Sequence, residues 1–271
     1  MASLEVLVTG TESTVGAVLC KAVAAGATAV GMDGCVTRKY RGNSDWLALY
    51  GAGDDERGAA RVAHIEKQGR VAHWDLGYTR NYRDPAAANF RVSINDLHPH
   101  RFFDATPTDA KRWDACRQPL REDADPNGHV LVVGLGRKSR YALDIYDWEV
   151  VQLQQTQQRF PDRKILYRPK PQRDRDAHII WEPRDGTSPI EQVLRGASLV
   201  ICRHSNVAVD ACVAGIPVEC EDGAAYWLYS RGSSPSRDAR LDFLHRLAYW
   251  QWKCSEMKEA WTFLQKVSAS R

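Results

Sequence analysis

Arg203-His204-Ser205-Asn206 stands where the apolar run Leu199-Val200-Ile201 gives way to the small-residue stretch VAVDACVA. These residue types suit an anion: a guanidinium and an imidazole beside the first turn of a helix, whose N–H groups and positive dipole end favour phosphate or diphosphate. The same residues also read as an ordinary helix cap, with Ser205 or Asn206 accepting from the first turn. Two other stretches repeat the arrangement. HVLVVGLGRKSR sets Gly134, Gly136, Arg137 and Lys138 after one apolar run, and KILYRPKP sets Arg168 and Lys170 after another. Glycine permits close backbone approach to a ligand, and the cations supply charge-assisted hydrogen bonds. Glu182, Asp185 and Asp210 are the carboxylates available around such a site.

The first half of the chain offers different chemistry. Asp75, Asp96 and His98 fall at or just after apolar strands and are candidates for a catalytic base. Asp75 leads, because Trp74-Asp75-Leu76-Gly77-Tyr78 puts it before a Gly turn with two aromatics able to stack on a sugar or base; it serves equally as a turn cap. Arg38, Lys39 and Arg41, in TRKYR, form a cationic cluster that suits a polyanionic acceptor or a solvated face.

Positioning these groups requires alternating strands and helices. EVLVTGTESTVGAVLCKAVAAGATAVG reads as strand, polar turn, Ala-rich helix and strand; Gly10-Thr11-Glu12-Ser13 lacks the spacing of a dinucleotide loop. VAHWDLGYT and FRVSIND read as further strands. RQPLREDADPNG, 117–128, is charged, contains proline and reads as a linker. Beyond it come the strand of HVLVVG, a helix through WEVVQLQQTQQRF, strands in KILYRP and HIIWEP, a helix through SPIEQVLRG, and the unit closed by Gly215 and Pro217. The expected fold is α/β, with two Rossmann-like parallel-sheet domains facing a cleft. Residues 1–120 form the first, 129–235 the second, and 236–271 a helical segment whose aromatic stripe is core packing.

The chain of 271 residues is 44% hydrophobic and 26% charged, as expected of a globular protein, with no apolar run of membrane-spanning length. MASLEVLVTG reads as a buried strand and not a signal peptide, which points to the cytoplasm. A formal charge of +3 is too small to imply nucleic-acid binding by itself. Seven cysteines without a CxxC pair indicate neither a disulfide framework nor a zinc site, and most are expected to be buried thiols.

YRPKP followed by CRHSNVAVDACVAGIPV resembles the GT-B glycosyltransferases, in particular the capsule-sugar and phage-encoded branches. In those a strand ending in an Arg-Pro-His-Pro type motif precedes a Ser-rich turn and a helix closing in Ala-Gly-Ile-Pro-Val. Lys170 replaces the histidine here. WDLGY, RVSINDLHP and LAYWQWKCSEMKEAW are similar to segments of phage glycosyltransferase-like proteins. The resemblance implies a nucleotide-sugar co-substrate, a UDP-sugar, and no other cofactor or metal. Gly134, Gly136, Arg137, Lys138, Arg168, Lys170, Glu182, Arg203, His204, Ser205, Asn206 and Asp210 would hold the donor. Asp75, Asp96 or His98 would act in catalysis, with Arg38, Lys39, Arg41, Trp74 and Tyr78 toward the acceptor. The phage likeness implies a hydroxymethylated pyrimidine in DNA as acceptor, placing the reaction in a host cytoplasm. The alternatives are a surface polysaccharide acceptor, a nucleotide-sugar epimerase or hydrolase, and a non-catalytic nucleotide-sugar-binding module.

Overall fold

A computed structural model describes residues 1–8, 14–51, 55–79, 87–116, 118–136, 139–140, 143–170, 179 and 181–269. Arg137 and Lys138, and the Gly10-Thr11-Glu12-Ser13 turn, lie outside the described residues.

The chain opens with β1 (Ser3–Leu7), α1 (Thr14–Ala29), β2 (Asp33–Thr37), β3 (Trp46–Tyr50), α2 (Glu56–Glu66), β4 (Arg70–Leu76) and β5 (Phe90–Ile94), then a 3-10 turn over His100–Ala105. Strands β2, β1, β3 and β4 pair in parallel; β1, β3 and β4 are apolar and largely buried, as strands covered on both faces must be, while β2 is the mostly exposed edge. β5 departs from the expected parallel arrangement by pairing antiparallel with β4, setting Asp75 opposite Arg91. Phe90, Val92 and Ile94 are buried, so the alternation of FRVSI gives Arg91 and Ser93 the other face.

The second unit contains α3 (Lys111–Ala115), β6 (His129–Val133), α4 (Trp148–Arg159), β7 (Ile165–Arg168), α5 (Ile190–Leu194), β8 (Ala197–Cys202), α6 (Val207–Ala214), β9 (Val218–Cys220) and α7 (Tyr226–Tyr229). Its four strands run in the order β7-β6-β8-β9, all parallel. Val130, Val132, Leu153, Ile165, Tyr167, Leu199 and Ile201 make its core. The strand expected in HIIWEP is not formed among the described residues, where Arg184 makes a single parallel bridge to Tyr167. Gly215 ends α6 at φ 74°, the left-handed conformation that glycine adopts without steric cost.

α8 (Arg237–Ala248) leads to β10 (Gln251–Trp252) and α9 (Met257–Ala269). β10 completes the first sheet, in the order β10-β5-β4-β3-β1-β2. The compact units are therefore 1–109 with 246–271, and 110–245, which differ from the expected boundaries at both ends. The cause is burial: Trp250, Trp252 and Trp261 belong to the first core, and the Trp261 indole donates to the Val23 carbonyl at 2.9 Å. The aromatic stripe is core, as the sequence indicated.

Of the expected linker 117–128, the described residues 118–128 are also packed into the second unit. Arg121 and Asp123 donate backbone N–H groups to Val213 and Ala214 at the end of α6. Buried Arg240 donates to the carbonyls of Cys212 and Arg121 and pairs with Glu122. Polar composition in this stretch reflects that clasp.

The seven cysteines form no disulfide, and only Cys20, Cys202 and Cys212 are buried. Burial pushes the thiols of Cys20 and Cys202 up to about 11 and that of Cys212 to about 12. Cys116, Cys220 and Cys254 are half-buried and Cys35 is exposed, so the expectation that most of the thiols are buried is not met. Among the described residues no helix is long and apolar enough to cross a membrane.

Candidate functional site

The strands of the second unit end together, and three loops meet there. After β6, Glu149 accepts the Leu135 N–H at 2.7 Å and pairs with Arg140, which in turn donates to the Leu135 carbonyl. Both side chains are buried, Arg140 at 5% and Glu149 at 0% exposure. A charge pair so placed needs its full hydrogen-bond complement, and the loop backbone supplies part of it. Gly134 is required by this packing: a Cβ there would lie 2.7 Å from the Tyr167 hydroxyl and 3.3 Å from Glu149. The expected reason, close approach to a ligand, fits Gly136 better, where among the described residues a Cβ would meet only Lys170 Cγ at 3.9 Å.

After β7, Lys170 Nζ donates to Ser205 Oγ at 3.1 Å. Ser139 and His204 Nε2 are 2.8 Å apart, tying the first loop to the third. Ser205 Oγ also accepts the Val207 N–H at 3.3 Å, so Ser205 makes the expected turn contact at the start of α6. Asn206 occupies the N-cap position but makes no side-chain cap bond, because its own backbone is already helical. Asp210 lies in the first turn of α6, where the dipole favours an acid.

Two expected cations are engaged differently. Arg168 donates to the carbonyls of Asp185 and Ser188, at 3.2 and 2.9 Å, and so holds the turn over 185–188. Arg203 pairs with Glu221 at 2.8 Å, and Glu221 also accepts the Trp148 indole N–H at 2.7 Å. The backbone N–H groups of Glu221 and Asp222 both donate to the Arg203 carbonyl. Glu182 is displaced from the group. The parallel bridge of Tyr167 with Arg184 sets it two residues back toward the amino edge, where it is exposed and paired with Arg184 at 3.3 Å. Asp185 accepts the N–H groups of Thr187 and Ser188, which with the Ser188 hydroxyl hold its carboxyl down at about 2. Ser139, Glu221 and Trp148 were missed by sequence reading: Ser139 lies within HVLVVGLGRKSR beside the glycines and cations that drew the reading, and Glu221 and Trp148 reach the site from segments without a motif.

In the first unit, Asp75 and Arg91 are cross-strand partners, with Arg91 Nη2 donating to Asp75 Oδ2 at 2.9 Å. Arg91 Nη1 donates to His98 Nδ1 at 2.8 Å, and the guanidinium lies 5.6 Å from the Tyr78 ring centroid. Asp75 Oδ1 accepts the Leu76 N–H at 2.8 Å. Burial raises the Asp75 carboxyl, but Arg91, His73 and these hydrogen bonds outweigh it, and the group titrates below the ordinary aspartate range. Arg91 was missed by sequence reading; its only signal was a lone guanidinium on one face of an apolar strand.

Several expected roles in this unit are corrected. Trp74 and Tyr78 are 1% and 2% exposed, packed in the core with no ring face for a sugar or base. His98 is 4% exposed and held on Arg91, which removes it as a solvent-facing base. Asp96 follows the turn at the end of β5, the opposite edge of the sheet from the end of β4 because β5 runs antiparallel. There it accepts the Leu97 N–H and pairs with Arg101 at 3.4 Å. Arg38, Lys39 and Arg41 are exposed after the edge strand β2, and buried Glu5 holds that turn by accepting the N–H groups of Arg41 and Gly42. Among the described residues no three His, Cys, Asp or Glu side chains group as a metal set.

No protein-family model matches the chain. No curated protein matches it either. Among solved structures, the Thermosulfurimonas dismutans KpsC beta Kdo 2,4 transferase is similar with a TM-score of 0.54 and 12% identity over 92% of each chain. The KpsC beta Kdo 2,7 transferase of the same organism is similar with a TM-score of 0.50 and 13% identity, over 97% of this chain and 99% of that one. At such identities the likeness bears on the fold, and the architecture is of the GT-B kind: two α/β units with helices at the C-terminus.

Proposed function

We propose that this chain is a glycosyltransferase that takes its sugar from a nucleotide-sugar donor held at the strand ends of the second unit. The observation that carries the reading is the convergence of Lys170 on Ser205 and of Ser139 on His204, where three loops leave adjacent parallel strands. Such an edge gathers cations and N–H groups where a leaving phosphate or diphosphate develops charge. Lys170, His204, Ser205 and Gly136 are the donor ligands of this reading, with Arg203 and Arg168 shaping the loops. A UDP-sugar is the first donor to try, and the cytoplasm the expected place of reaction.

Asp75 is the proposed base. As the acceptor oxygen bonds to the anomeric carbon, the hydroxyl proton passes to Asp75, while the bond from that carbon to the phosphate oxygen breaks and its electron pair leaves with the nucleotide. Epimerase or hydrolase chemistry is less favoured. Glu182 is paired away at the amino edge and Asp185 is engaged by its own loop, so two of the three carboxylates considered for that chemistry are committed elsewhere. A saccharide acceptor is preferred to DNA, because Trp74 and Tyr78 offer no stacking surface for an everted base. The exposed Arg38, Lys39 and Arg41 are the observation that keeps DNA as the second reading.

The test is incubation with a panel of nucleotide sugars, each with oligosaccharide acceptors or hydroxymethylated DNA, reading nucleotide release and acceptor mass. A mass increase of one sugar on an oligosaccharide is expected. Conversion of the donor to an epimer, with no acceptor needed, would replace the transferase reading.

A further inference from the structure

The contacts of Arg91 are lopsided in a way that a merely structural ion pair does not require. Its side chain is 12% exposed, whereas the Asp75 side chain it holds is 35% exposed, so the cation is sunk and the anion is the half-buried, more accessible partner. The guanidinium is fixed on three sides: Asp75 Oδ2 at 2.9 Å, His98 Nδ1 at 2.8 Å, and the Tyr78 ring across its face. A guanidinium only donates, so His98 Nδ1 accepts and any ring hydrogen sits on Nε2. On the carboxylate, one oxygen takes Arg91 and the other the Leu76 N–H. A carboxylate offers about four acceptor positions, so each oxygen keeps capacity for an incoming hydroxyl. The pair also stands at the carboxyl end of β4, the edge at which open α/β sheets bind ligands.

We infer that Arg91 is a positioning residue that holds Asp75 as an oriented, ionised carboxylate, with His98 as the far end of the clamp. The inference rests on the transferase reading for its catalytic consequence, but the clamp itself can be read without any substrate. Charged or titratable groups facing Asp75 among the described residues are Arg91 from β5, His73 from β4 and Tyr78 from the following turn. Arg91 is the group among them that both bonds to the carboxylate and carries a fixed charge.

Two measurements test it. The first is NMR titration of the Asp75 carboxyl carbon in the wild-type chain and in Arg91→Lys, with no ligand present. The wild-type group is expected below the ordinary aspartate value and the variant above the wild type, since lysine keeps the charge but loses the fork. An ordinary wild-type titration, or one that Arg91→Lys leaves unmoved, overturns the clamp whether or not a donor has been found. The second is the pH profile of transfer. Arg91→Met is expected to lower kcat at least thirtyfold with donor KM within twofold, and to move the acid limb to higher pH, because a carboxylate deprived of its cation takes up its proton earlier as pH falls. Arg91→Lys should recover part of kcat. If Asp75→Asn abolishes transfer while Arg91→Lys matches wild type in kcat and acid limb, the positioning role fails and the transferase reading stands. If Asp75→Asn transfers normally, Asp75 is not the base and the catalytic consequence falls with it, while the titration result is unaffected.

Discussion

At the carboxyl edge of the second unit's sheet the polar contacts run between loops, Lys170 to Ser205 and Ser139 to His204. At the corresponding edge of the first unit the contact runs between neighbouring strands, Asp75 to Arg91. A cross-strand pair inherits its geometry from the ladder, whereas a loop-to-loop pair can exchange partners when a ligand arrives. The first arrangement suits a group that must point one way, and the second suits groups that must close on an anion. The division between chemistry and donor binding should therefore appear as separate losses in kcat and in affinity.

The largest loss should come from Asp75→Asn. Removing a general base costs on the order of 10²- to 10⁴-fold in rate, and here nucleotide affinity should stay within about twofold. Calorimetric titration of the nucleotide beside a rate assay checks both halves; a matching loss of affinity would join the two edges into one function. Next comes the support of the second edge. Arg140→Leu would leave Glu149 buried without its partner, a defect worth about 3–5 kcal/mol, read as an earlier urea midpoint. If stability holds while donor affinity falls, the pair serves the ligand and not the fold.

Lys170→Ala and His204→Ala should each weaken nucleotide binding by roughly tenfold or more, the worth of a hydrogen bond to a charged group. Arg203→Ala is the contrast. Its charge is offset by Glu221 across a partly exposed pair, so affinity should change by no more than about fivefold. Equal losses from Lys170→Ala and Arg203→Ala would show that Arg203 leaves Glu221 for the donor.

The same contrast explains what could be read from sequence. Loops after β6, β7 and β8 are local: apolar strand, glycine or cation, then helix, all within a few residues, and the parallel sheet follows from that alternation. Arg91 was hidden because its partner lies 16 residues away and the strands pair antiparallel where a parallel neighbour was expected. Trp74 and Tyr78 misled for a related reason. An aromatic beside a candidate base looks available in a one-dimensional pattern, yet β4 is covered on both faces through most of its length. The segment 117–128 shows the limit of composition: charge and proline suggested a loose linker, while Arg240 and the end of α6 give its polar groups fixed partners.

The smallest effect is expected from the cationic turn after β2, and it separates the two acceptors. Arg38, Lys39 and Arg41 are exposed, and Glu5 fixes the backbone of the turn without engaging their side chains. Charges so placed are screened by salt and contribute little to stability. Reversing Lys39 and Arg41 to Glu should therefore leave melting temperature, nucleotide affinity and transfer to an oligosaccharide within about twofold of wild type. A DNA acceptor would behave otherwise, because every phosphate contact releases counterions and steepens the fall of affinity with salt by nearly one unit of log slope. Binding of duplex and single-stranded DNA by the wild type, measured at two salt concentrations, would then show a slope that the reversal removes. An undiminished slope in the variant would put any DNA contact elsewhere on the molecule, and no DNA binding at low salt would leave the saccharide as the acceptor.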